Sequence, residues 1–150
     1  MKAVLQRVKS AGVKVDGETV GSCAKGLCVL FGGACGDTRE DADALARKIL
    51  NLRIFTDDND KMNLSVLDIK GGMLVISNFT LLAAYKKGNR PDYMNAAAPA
   101  VANGLYEYFA DCCSCLVPTE KGIFGADMKV DIRNDGPVTV VMDSKVLLGK

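Results

Sequence analysis

Strand-like segments outnumber helical ones in this chain, and they come in groups instead of alternating with helices. Each is a short run of alternating or uniformly apolar residues bounded by glycine, proline or other turn residues. The predicted strands, including a hairpin that turns at Asp16-Gly17, cover residues 4–8, 13–20, 26–32, 73–79, 116–118, 129–132 and 138–143. This grouping favours an α+β fold over a βαβ array. We therefore expect mostly antiparallel sheets that form a sandwich or an open barrel.

Only two segments have the periodicity of amphipathic helices. The first is predicted to begin where Asp37 or Thr38 can cap it. The second is predicted to begin near Pro99, because the missing N–H of proline costs nothing at the first helical position. The apolar face of the first helix consists of Ala42, Leu45, Ala46, Ile49 and Leu52. That of the second consists of Val101, Leu105, Tyr108, Phe109 and Cys112. We expect both faces to be buried.

The length and composition fit one globular domain. All 150 residues are assigned to it, since domains usually run to about 100–200 residues and this chain is 49% hydrophobic and 25% charged. The formal net charge of +1 excludes a strongly electropositive protein, so any RNA contact must use a local basic patch. No segment has the pattern of a signal peptide or the ~18 consecutive apolar residues of a membrane span. The sequence therefore predicts a cytoplasmic protein without a membrane partner.

The cysteines and the absence of histidine limit the chemistry. Cys112, Cys113 and Cys115 lie close together, but no second pair of ligands has the spacing of a zinc site. We therefore expect reduced, buried thiols that fill a helix face, and neither a metal nor another cofactor. Because the chain contains no histidine, Ser-His-Asp and Cys-His machinery are excluded. In an enzyme of this sequence, proton transfer must use carboxylates, hydroxyls, lysines, water or the substrate.

Three polar clusters are candidates for a functional site. Residues 77–80 (SNFT) close an apolar strand, and their hydroxyls can bind a substrate oxygen or cap the turn. Residues 134–137 (NDGP) contain a Gly-Pro bond that can be cis, or they form a simple connecting turn. Residues 85–90 (YKKGNR) place basic side chains beside an aromatic ring, which suits phosphate contact and base stacking or, equally, a solvated loop. From the residues alone, both interpretations of each cluster stay open.

Seven segments in a fixed order carry a resemblance to a known family. They are MKAVLQRV (1–8), KILNLRIF (48–55), KMNLSVLD (61–68), SNFTL (77–81), KKGNRPDY (86–93), FGADM (124–128) and NDGPVT (134–139). Together they span nearly the whole chain, and their order is far more specific than any one of them. On these segments the chain resembles the D-aminoacyl-tRNA deacylases. The resemblance implies a homodimeric, metal-independent ester hydrolase that acts on aminoacyl-tRNA in translation quality control.

The resemblance implies a role for each candidate cluster. Thr80, followed by Ser77, is the side chain expected to act in catalysis. Gly136 and Pro137, joined by a cis bond, would reach from one subunit into the active site of the other, and Arg7 would brace their turn. The implied substrate-binding residues are Asn78, Phe79, Ala98 with the segment Ala96–Ala98 that it closes, Phe124, Gly136, Pro137 and Arg7. The implied tRNA-binding residues are Lys86, Lys87 and Arg90.

The resemblance also implies how such a site works without histidine. The 2′-hydroxyl of the terminal adenosine would help to activate the attacking water, while the protein positions the ester and aims backbone N–H groups at the developing oxyanion. A rigid Gly-Pro wall would leave room only for hydrogen where an L-amino acid carries its side chain, so L-aminoacyl esters are rejected by a clash. Glycine, which has no side chain, is expected to enter.

One position departs from the family pattern, which usually has glutamine where this chain has Asn78. Asparagine keeps the amide but is one methylene shorter, so a hydrogen bond made at full reach would weaken or need a water molecule. Two other hypotheses are a non-catalytic RNA-binding module that keeps the basic loop and a purely structural dimer. The polar cluster at residues 77–80 and the Gly136-Pro137 pair favour the enzyme. Residues 145–150 carry no motif with an evident role.

Overall fold

The computed structural model describes all residues from Met1 to Lys150, and its strands form one six-stranded sheet and one short two-stranded sheet. The strands are β1 (Lys2–Val15), β2 (Glu18–Cys23), β3 (Gly26–Gly32), β4 (Phe55–Thr56), β5 (Met62–Leu64), β6 (Gly72–Ser77), β7 (Thr119–Lys121) and β8 (Lys129–Asp143). The helices are α1 (Arg39–Asn51), α2 (Pro99–Ser114) and α3 (Ser144–Leu148), with a 3-10 turn at Phe79–Leu82. The expected α+β class, with the sheet forming an open barrel, is confirmed.

Strand β1 lies at the centre of the sheet because other strands pair with both of its edges. Along one edge, residues 2–8 pair with β3 and residues 11–15 pair with β2. Along the other edge, β1 pairs with β8 from Lys2 to Lys14. All three pairings are antiparallel. A long, twisted strand whose two halves have different partners on one edge curls the sheet toward a barrel.

Two further pairings are parallel, and the sequence did not predict them. Strand β6 lies parallel to β3, and β7 lies parallel to β6. Parallel neighbours need a crossover connection, which passes through α1 between β3 and β6 and through α2 between β6 and β7. The prediction of mostly antiparallel strands therefore holds for the part of the sheet around β1. The β3–β6–β7 part contains the βαβ connections that the grouping of strands had disfavoured.

Some predicted boundaries were wrong. The two separate alternating runs near the N-terminus belong to the single strand β1, and residues 129–132 and 138–143 belong to the single strand β8, because mutual pairing carries both backbones through the interruptions. Residues 116–118 form no strand; the strand β7 begins at Thr119, after the turn that ends α2. The segment predicted as a polar turn at 55–63 contains the short β4–β5 pairing.

The first helix agrees with its prediction, whereas the buried face of the second is rotated. Thr38 is the N-cap of α1, and Leu52 is its half-buried C-cap instead of a buried residue. On α2, Val101 is exposed, and Tyr108 and Cys112 are only half-buried. The residues that α2 buries are Ala102, Leu105, Tyr106, Phe109, Ala110 and Cys113. The thiols were expected to fill the helix face together, but Cys115 is exposed and only Cys113 is fully buried.

Two apolar clusters lie on opposite faces of the sheet. The larger has 22 buried residues and joins the sheet to α1 and α2, with Phe31 and Phe109 in ring contact at 4.9 Å between centroids. The smaller consists of Val8, Ala11, Val13, Cys28, Leu74 and Ile76. Half-buried residues of β8 pack against this smaller cluster, so the curled sheet covers part of its own surface. None of the helices is both long and apolar enough to cross a bilayer.

The C-terminal helix α3, which carries no sequence motif, joins the two ends of the chain. Ser144 is fully buried, accepts a hydrogen bond from the α-amino group of Met1 at 2.9 Å and donates one to Asp41 Oδ1 at 2.8 Å. The other carboxylate oxygen of Asp41 accepts from the backbone N–H of Thr38 at 2.9 Å. Burial acts to raise the pKa of Asp41, but the hydrogen bonds outweigh it and hold that pKa below its ordinary value.

Replacing Asp41 by asparagine should lower the free energy of unfolding by about 1 kcal/mol at pH 7, because the helix cap and the Ser144 contact both lose a charged acceptor. The folded-state pKa is depressed, so this stabilisation is present above the unfolded-state pKa and is lost as the pH falls through the folded-state pKa. Urea unfolding at neutral and acidic pH measures both effects. Glu40→Gln, on the exposed side of the same turn, is the control and should change stability by less than about 0.5 kcal/mol. Equal stability of wild type and Asp41→Asn at pH 7 would contradict the prediction.

Candidate active site

The carboxyl ends of the three parallel strands surround one pocket. Strand β3 is followed by Gly33, β6 by Asn78 and β7 by Gly122, and this is the edge of a parallel sheet at which ligands bind in other folds. The pocket has a volume of about 450 Å³. Its lining residues are Ser77, Asn78, Phe79, Ala96, Ala97, Pro99, Ala102, Phe124, Gly125, Ala126 and Met128.

The end of β6 forms the polar side of the pocket. The backbone N–H of Asn78 donates to the Phe31 carbonyl at 2.7 Å, which continues the pairing with β3 past the last strand residue. The chain then enters the 3-10 turn, and Asn78 caps it: its Oδ1 accepts from the Thr80 N–H at 3.2 Å and from the Thr80 hydroxyl. The side chain of Asn78 therefore fixes the hydroxyl of the exposed Thr80, which does not itself line the pocket.

The segment before α2 forms an apolar wall. Ala96 makes an antiparallel bridge with Ala34, and the Ala97 N–H donates to the Gly33 carbonyl at 2.9 Å. A Cβ atom on Gly33 would lie only 3.7 Å from the Cα of Ala102 in α2. The small side chains thus let the wall and the helix approach β3 closely. Ala98 is the exposed N-cap of α2, next to the lining residues but not among them.

The remaining wall comes from the loop after β7. The Gly122 N–H donates to the Val75 carbonyl at 3.0 Å, which holds the start of the loop against β6. Phe124 follows two residues later, half-buried, and its ring centroid lies 6.2 Å from that of Tyr106 on α2. The loop ends at Met128, which enters the pocket and also packs on the smaller apolar cluster.

No side chain that lines the pocket is ionisable in the neutral range. The polar groups available are the Ser77 hydroxyl, the Asn78 amide and backbone atoms. The N–H of Phe79 lies at the first position of the 3-10 turn, where a backbone N–H has no acceptor within the turn itself. Such a site can orient a substrate and donate hydrogen bonds to a developing negative charge, but it cannot supply a charged general base.

The Gly136-Pro137 pair lies in β8 and does not line the pocket of its own chain. Its peptide bond is cis, and both residues are exposed. Arg7 contacts this segment: its Nε donates to the Asp135 carbonyl at 2.9 Å, and its Nη1 donates to the Ile54 carbonyl at 2.7 Å. Asn134 also donates to the carbonyls of Arg7 and Val138, each at 3.1 Å. The segment is therefore held firmly at its base while its tip is free.

The basic loop lies beside the mouth of the pocket. Its ends are joined by two hydrogen bonds between Ala84 and Asp92, of 2.7 and 2.8 Å. Lys86, Lys87 and Arg90 are all exposed, and none takes part in a salt bridge. The next aromatic residue after the loop, Tyr93, packs edge-on against Phe79 with 5.0 Å between ring centroids.

The structure brings together most, but not all, of the residues singled out in the sequence. Ser77, Asn78, Phe79 and Phe124 line one pocket, together with Ala96 and Ala97 of the implied alanine segment, whereas Thr80 and Ala98 are not lining residues. Gly136 and Pro137 form a separate exposed site next to Arg7. Gly125, Ala126 and Met128 belong to the FGADM segment, and Pro99 was predicted only as a helix start. Ala102 is the lining residue that was missed, because a small apolar side chain carries no chemical signal.

The comparisons with known proteins agree with this geometry. The family model described as D-Tyr-tRNA(Tyr) deacylase matches residues 4–143. The chain belongs to this family. As a member it is a D-aminoacyl-tRNA deacylase, a hydrolase of carboxylic esters, and the sequence prediction of that activity is confirmed.

Relatives in bacteria match almost end to end. The D-aminoacyl-tRNA deacylase of Persephonella marina is 54% identical over 147 residues, covering 98% of this chain and 100% of the relative. That of Thermosipho africanus is 52% identical over 146 residues, covering 97% and 98%.

Two solved structures are also similar. The c-Myc DNA Unwinding Element Binding Protein has a TM-score of 0.90 and 41% sequence identity, and the match covers 95% of this chain and 98% of that one. A probable eukaryotic D-amino acid tRNA deacylase has a TM-score of 0.80 at 17% identity with the same coverage, which is a likeness of fold alone.

Because Asn78 holds the Thr80 hydroxyl and caps the turn, Asn78→Ala should slow deacylation of D-tyrosyl-tRNA by about fivefold. A cap is worth ~1 kcal/mol, and an equal loss in the transition state corresponds to about a factor of five in rate. Single-turnover deacylation measures the rate. Asn51→Ala, at the exposed end of α1, is the matched control and should leave the rate unchanged. A full rate in Asn78→Ala would refute a role for this cap in catalysis.

Proposed function

We propose that this protein is a cytoplasmic homodimer that proofreads aminoacyl-tRNA by chirality, releasing free tRNA and a D-amino acid. We infer that it also removes glycine from non-cognate tRNA. The observation that carries the proposal is the pocket at the ends of β3, β6 and β7, which has one polar side and no ionisable lining residue. Such a pocket suits an ester whose own 2′-hydroxyl takes part in the chemistry.

In the proposed reaction, water attacks the carbonyl carbon of the ester beside Ser77 and Thr80. The water loses a proton as its bond to carbon forms, and the ribose 3′-oxygen gains a proton as the ester bond breaks. The neighbouring 2′-hydroxyl of the substrate relays this proton. The N–H of Phe79, at the first position of its 3-10 turn, is proposed to donate to the developing oxyanion, an interaction worth several kcal/mol in other enzymes. Ser77 and Thr80 orient the ester and the water.

Chiral selection is proposed to come from the partner subunit. Gly136 and Pro137 are exposed and lie away from the pocket of their own chain, so they are free to enter the pocket of a second copy. Arg7 holds the base of this segment through Asp135, which makes the tip a rigid wall. A wall that touches the α-carbon on one side rejects an L side chain by a clash and leaves a D side chain free to point outward.

The basic loop is proposed to bind the acceptor end of the tRNA. Lys86, Lys87 and Arg90 have no acidic partner, so their charges are available to phosphates. The loop is joined to the pocket through the packing of Tyr93 against Phe79. Phosphate contacts would set the position of the strand, and the pocket would receive the aminoacyl adenosine between Phe79, Phe124 and the alanine wall that ends at Ala98.

A second candidate function is nucleic-acid binding without catalysis. The specific observation in its favour is the name of the relative that is 41% identical, which describes a protein that binds a DNA element. The exposed basic loop would serve such a function equally well. The two candidates differ in whether the ester bond is broken.

The purified protein should hydrolyse D-tyrosyl-tRNA at least ~100-fold faster than L-tyrosyl-tRNA, which corresponds to about 2.7 kcal/mol of discrimination. Pro137→Ala should reduce this ratio mainly by speeding cleavage of the L ester, because the ring is removed from the wall that excludes the L side chain. Matched single-turnover assays of both esters measure the ratio. Binding of tRNA without cleavage of either ester would favour the second candidate function.

The cross-subunit arrangement is tested in the same assay. Two variants are used, each as its own homodimer. In the Thr80→Ala/Asn78→Ala homodimer both pockets are impaired, and in the Pro137→Ala homodimer both walls are impaired. A mixed dimer should regain one site with an intact pocket and an intact wall, and with it about half of the selective activity of the wild type. Mixed dimers that are as unselective as the Pro137→Ala protein would place the wall in the same subunit as the pocket.

Replacing the terminal adenosine of D-tyrosyl-tRNA by 2′-deoxyadenosine should slow deacylation by at least ~100-fold, within the range of general acid–base effects. The reason is that no lining side chain is a base that ionises in the neutral range, so the substrate hydroxyl has no basic group of the protein to take its place. The control is the affinity for the uncharged 2′-deoxy tRNA, which should stay within twofold of the affinity for the ribose form. If the 2′-deoxy ester is cleaved at an unchanged rate, the proton must instead be relayed by a group of the protein.

A further inference from the structure

Tyr106 is the largest fully buried side chain of the protein, and it lies directly behind the pocket. It projects from α2 between Phe31 of β3 and Phe124 of the pocket loop, with ring centroids at 6.1 and 6.2 Å. It does not line the pocket. No polar motif in the sequence includes this residue. Its ring packs like that of any core residue, and its hydroxyl is what distinguishes it.

The hydroxyl of Tyr106 connects two walls of the pocket. It donates to the carbonyl of Val75 at 2.9 Å and lies 3.3 Å from the carbonyl of Gly122. Val75 is two residues before Ser77, and Gly122 is two residues before Phe124. One buried donor therefore bridges the strand that carries the polar side of the pocket and the loop that carries the aromatic side.

Two features keep the hydrogen bonds of the Tyr106 hydroxyl in place. The hydroxyl stays protonated, and the Gly122 carbonyl has no other donor. Burial, with the Glu107 carboxylate nearby, raises the pKa of the Tyr106 hydroxyl above its ordinary value. The Val75 carbonyl also accepts from the Gly122 N–H, but the Gly122 carbonyl has no hydrogen-bond donor in the chain except Tyr106. Without the hydroxyl, that half-buried carbonyl must turn toward water.

We propose that Tyr106 is a positioning residue that sets the separation between β6 and the loop at residues 122–124, and thereby holds the Phe124 ring where the terminal adenosine binds. This inference rests on the proposed function for the identity of the ligand. Phe124 touches the adenosine in the ground state and in the transition state alike, so its displacement weakens binding without slowing the chemical step. The predicted signature is a change in KM and not in kcat.

Tyr108 provides a matched control on the same helix. Its hydroxyl donates to Asp43 Oδ1 of α1 at 2.9 Å, and its ring contacts Arg39 at 4.7 Å, on the side of α2 that faces away from the pocket. Tyr106→Phe and Tyr108→Phe each remove one hydroxyl, which contacts two backbone carbonyls in Tyr106 and one carboxylate in Tyr108. A general loss of stability would affect both variants. A displacement of the Phe124 ring is expected only in Tyr106→Phe.

The first measurement concerns the position of the loop and requires no activity. The chain contains no tryptophan, so Phe124→Trp introduces a single fluorescent reporter into the loop. Acrylamide quenching of this tryptophan should increase at least twofold when Tyr106→Phe is added, and should not change when Tyr108→Phe is added. Equal quenching in all three proteins would overturn the inference.

The second measurement is steady-state deacylation of D-tyrosyl-tRNA. Tyr106→Phe should raise KM by about five- to tenfold with kcat within twofold of the wild type, and Tyr108→Phe should change neither. On a Phe124→Leu background, Tyr106→Phe should add less than a twofold further increase in KM, because it acts through the ring that is already gone. A fall in kcat at unchanged KM, or full additivity with Phe124→Leu, would overturn the inference. If the wild type cleaves no ester, the proposed function fails, while the quenching experiment still decides whether Tyr106 positions the loop.

Discussion

The rest of the structure depends on the pairing of β1 along both of its edges. On one edge the partner changes from β3 to β2, whereas β8 follows the other edge almost throughout. Arg7 lies where the partner changes, and its guanidinium joins Asp135 of β8 to Ile54 beyond α1. The same strand thus builds the barrel and fixes the segment that carries Gly136-Pro137. A weaker β1 would loosen the fold and the proposed wall together.

The pocket depends on the smaller, parallel part of the sheet. Because β3, β6 and β7 run in one direction, their carboxyl ends meet at one edge. The residues after β6 and β7 form two walls of the pocket, and the segment before α2, which is bonded to the end of β3, forms the third. Helix α2 begins at this edge and passes behind the pocket, where Tyr106 joins two of the walls through one buried hydroxyl. The antiparallel strands supply stability, and the parallel strands supply the convergence of loops from which a site is made.

Sequence reasoning gave the fold class, the helix starts and the chemical residues of the site, but not how the walls meet. Thr38 and Pro99 were found because capping and proline geometry act locally, within one turn of helix. The parallel pairing of β6 was missed because a buried strand in either direction is an apolar run of similar length. Ala102 was missed because its role depends on how closely helix α2 approaches the pocket, which no property of the single residue reveals. Tyr106 was left out even of the predicted helix face, since only the three-dimensional positions of two carbonyls distinguish it from Tyr108.

The exposed basic side chains and the pocket proposed to select the D ester lie in different parts of this molecule. The exposed cations of the basic loop carry long-range attraction for phosphate, and the pocket beside them contains no ionisable side chain. Long-range attraction cannot distinguish a D from an L ester, because both have the same charge. Contact can, since the two differ only in where one side chain points. Charges in the pocket would interact equally with both esters and would therefore add nothing to the difference between them. In a pocket whose lining carries no charge, the proposed selection therefore depends on steric fit, that is, on a clash with the side chain at the α-carbon of the L ester.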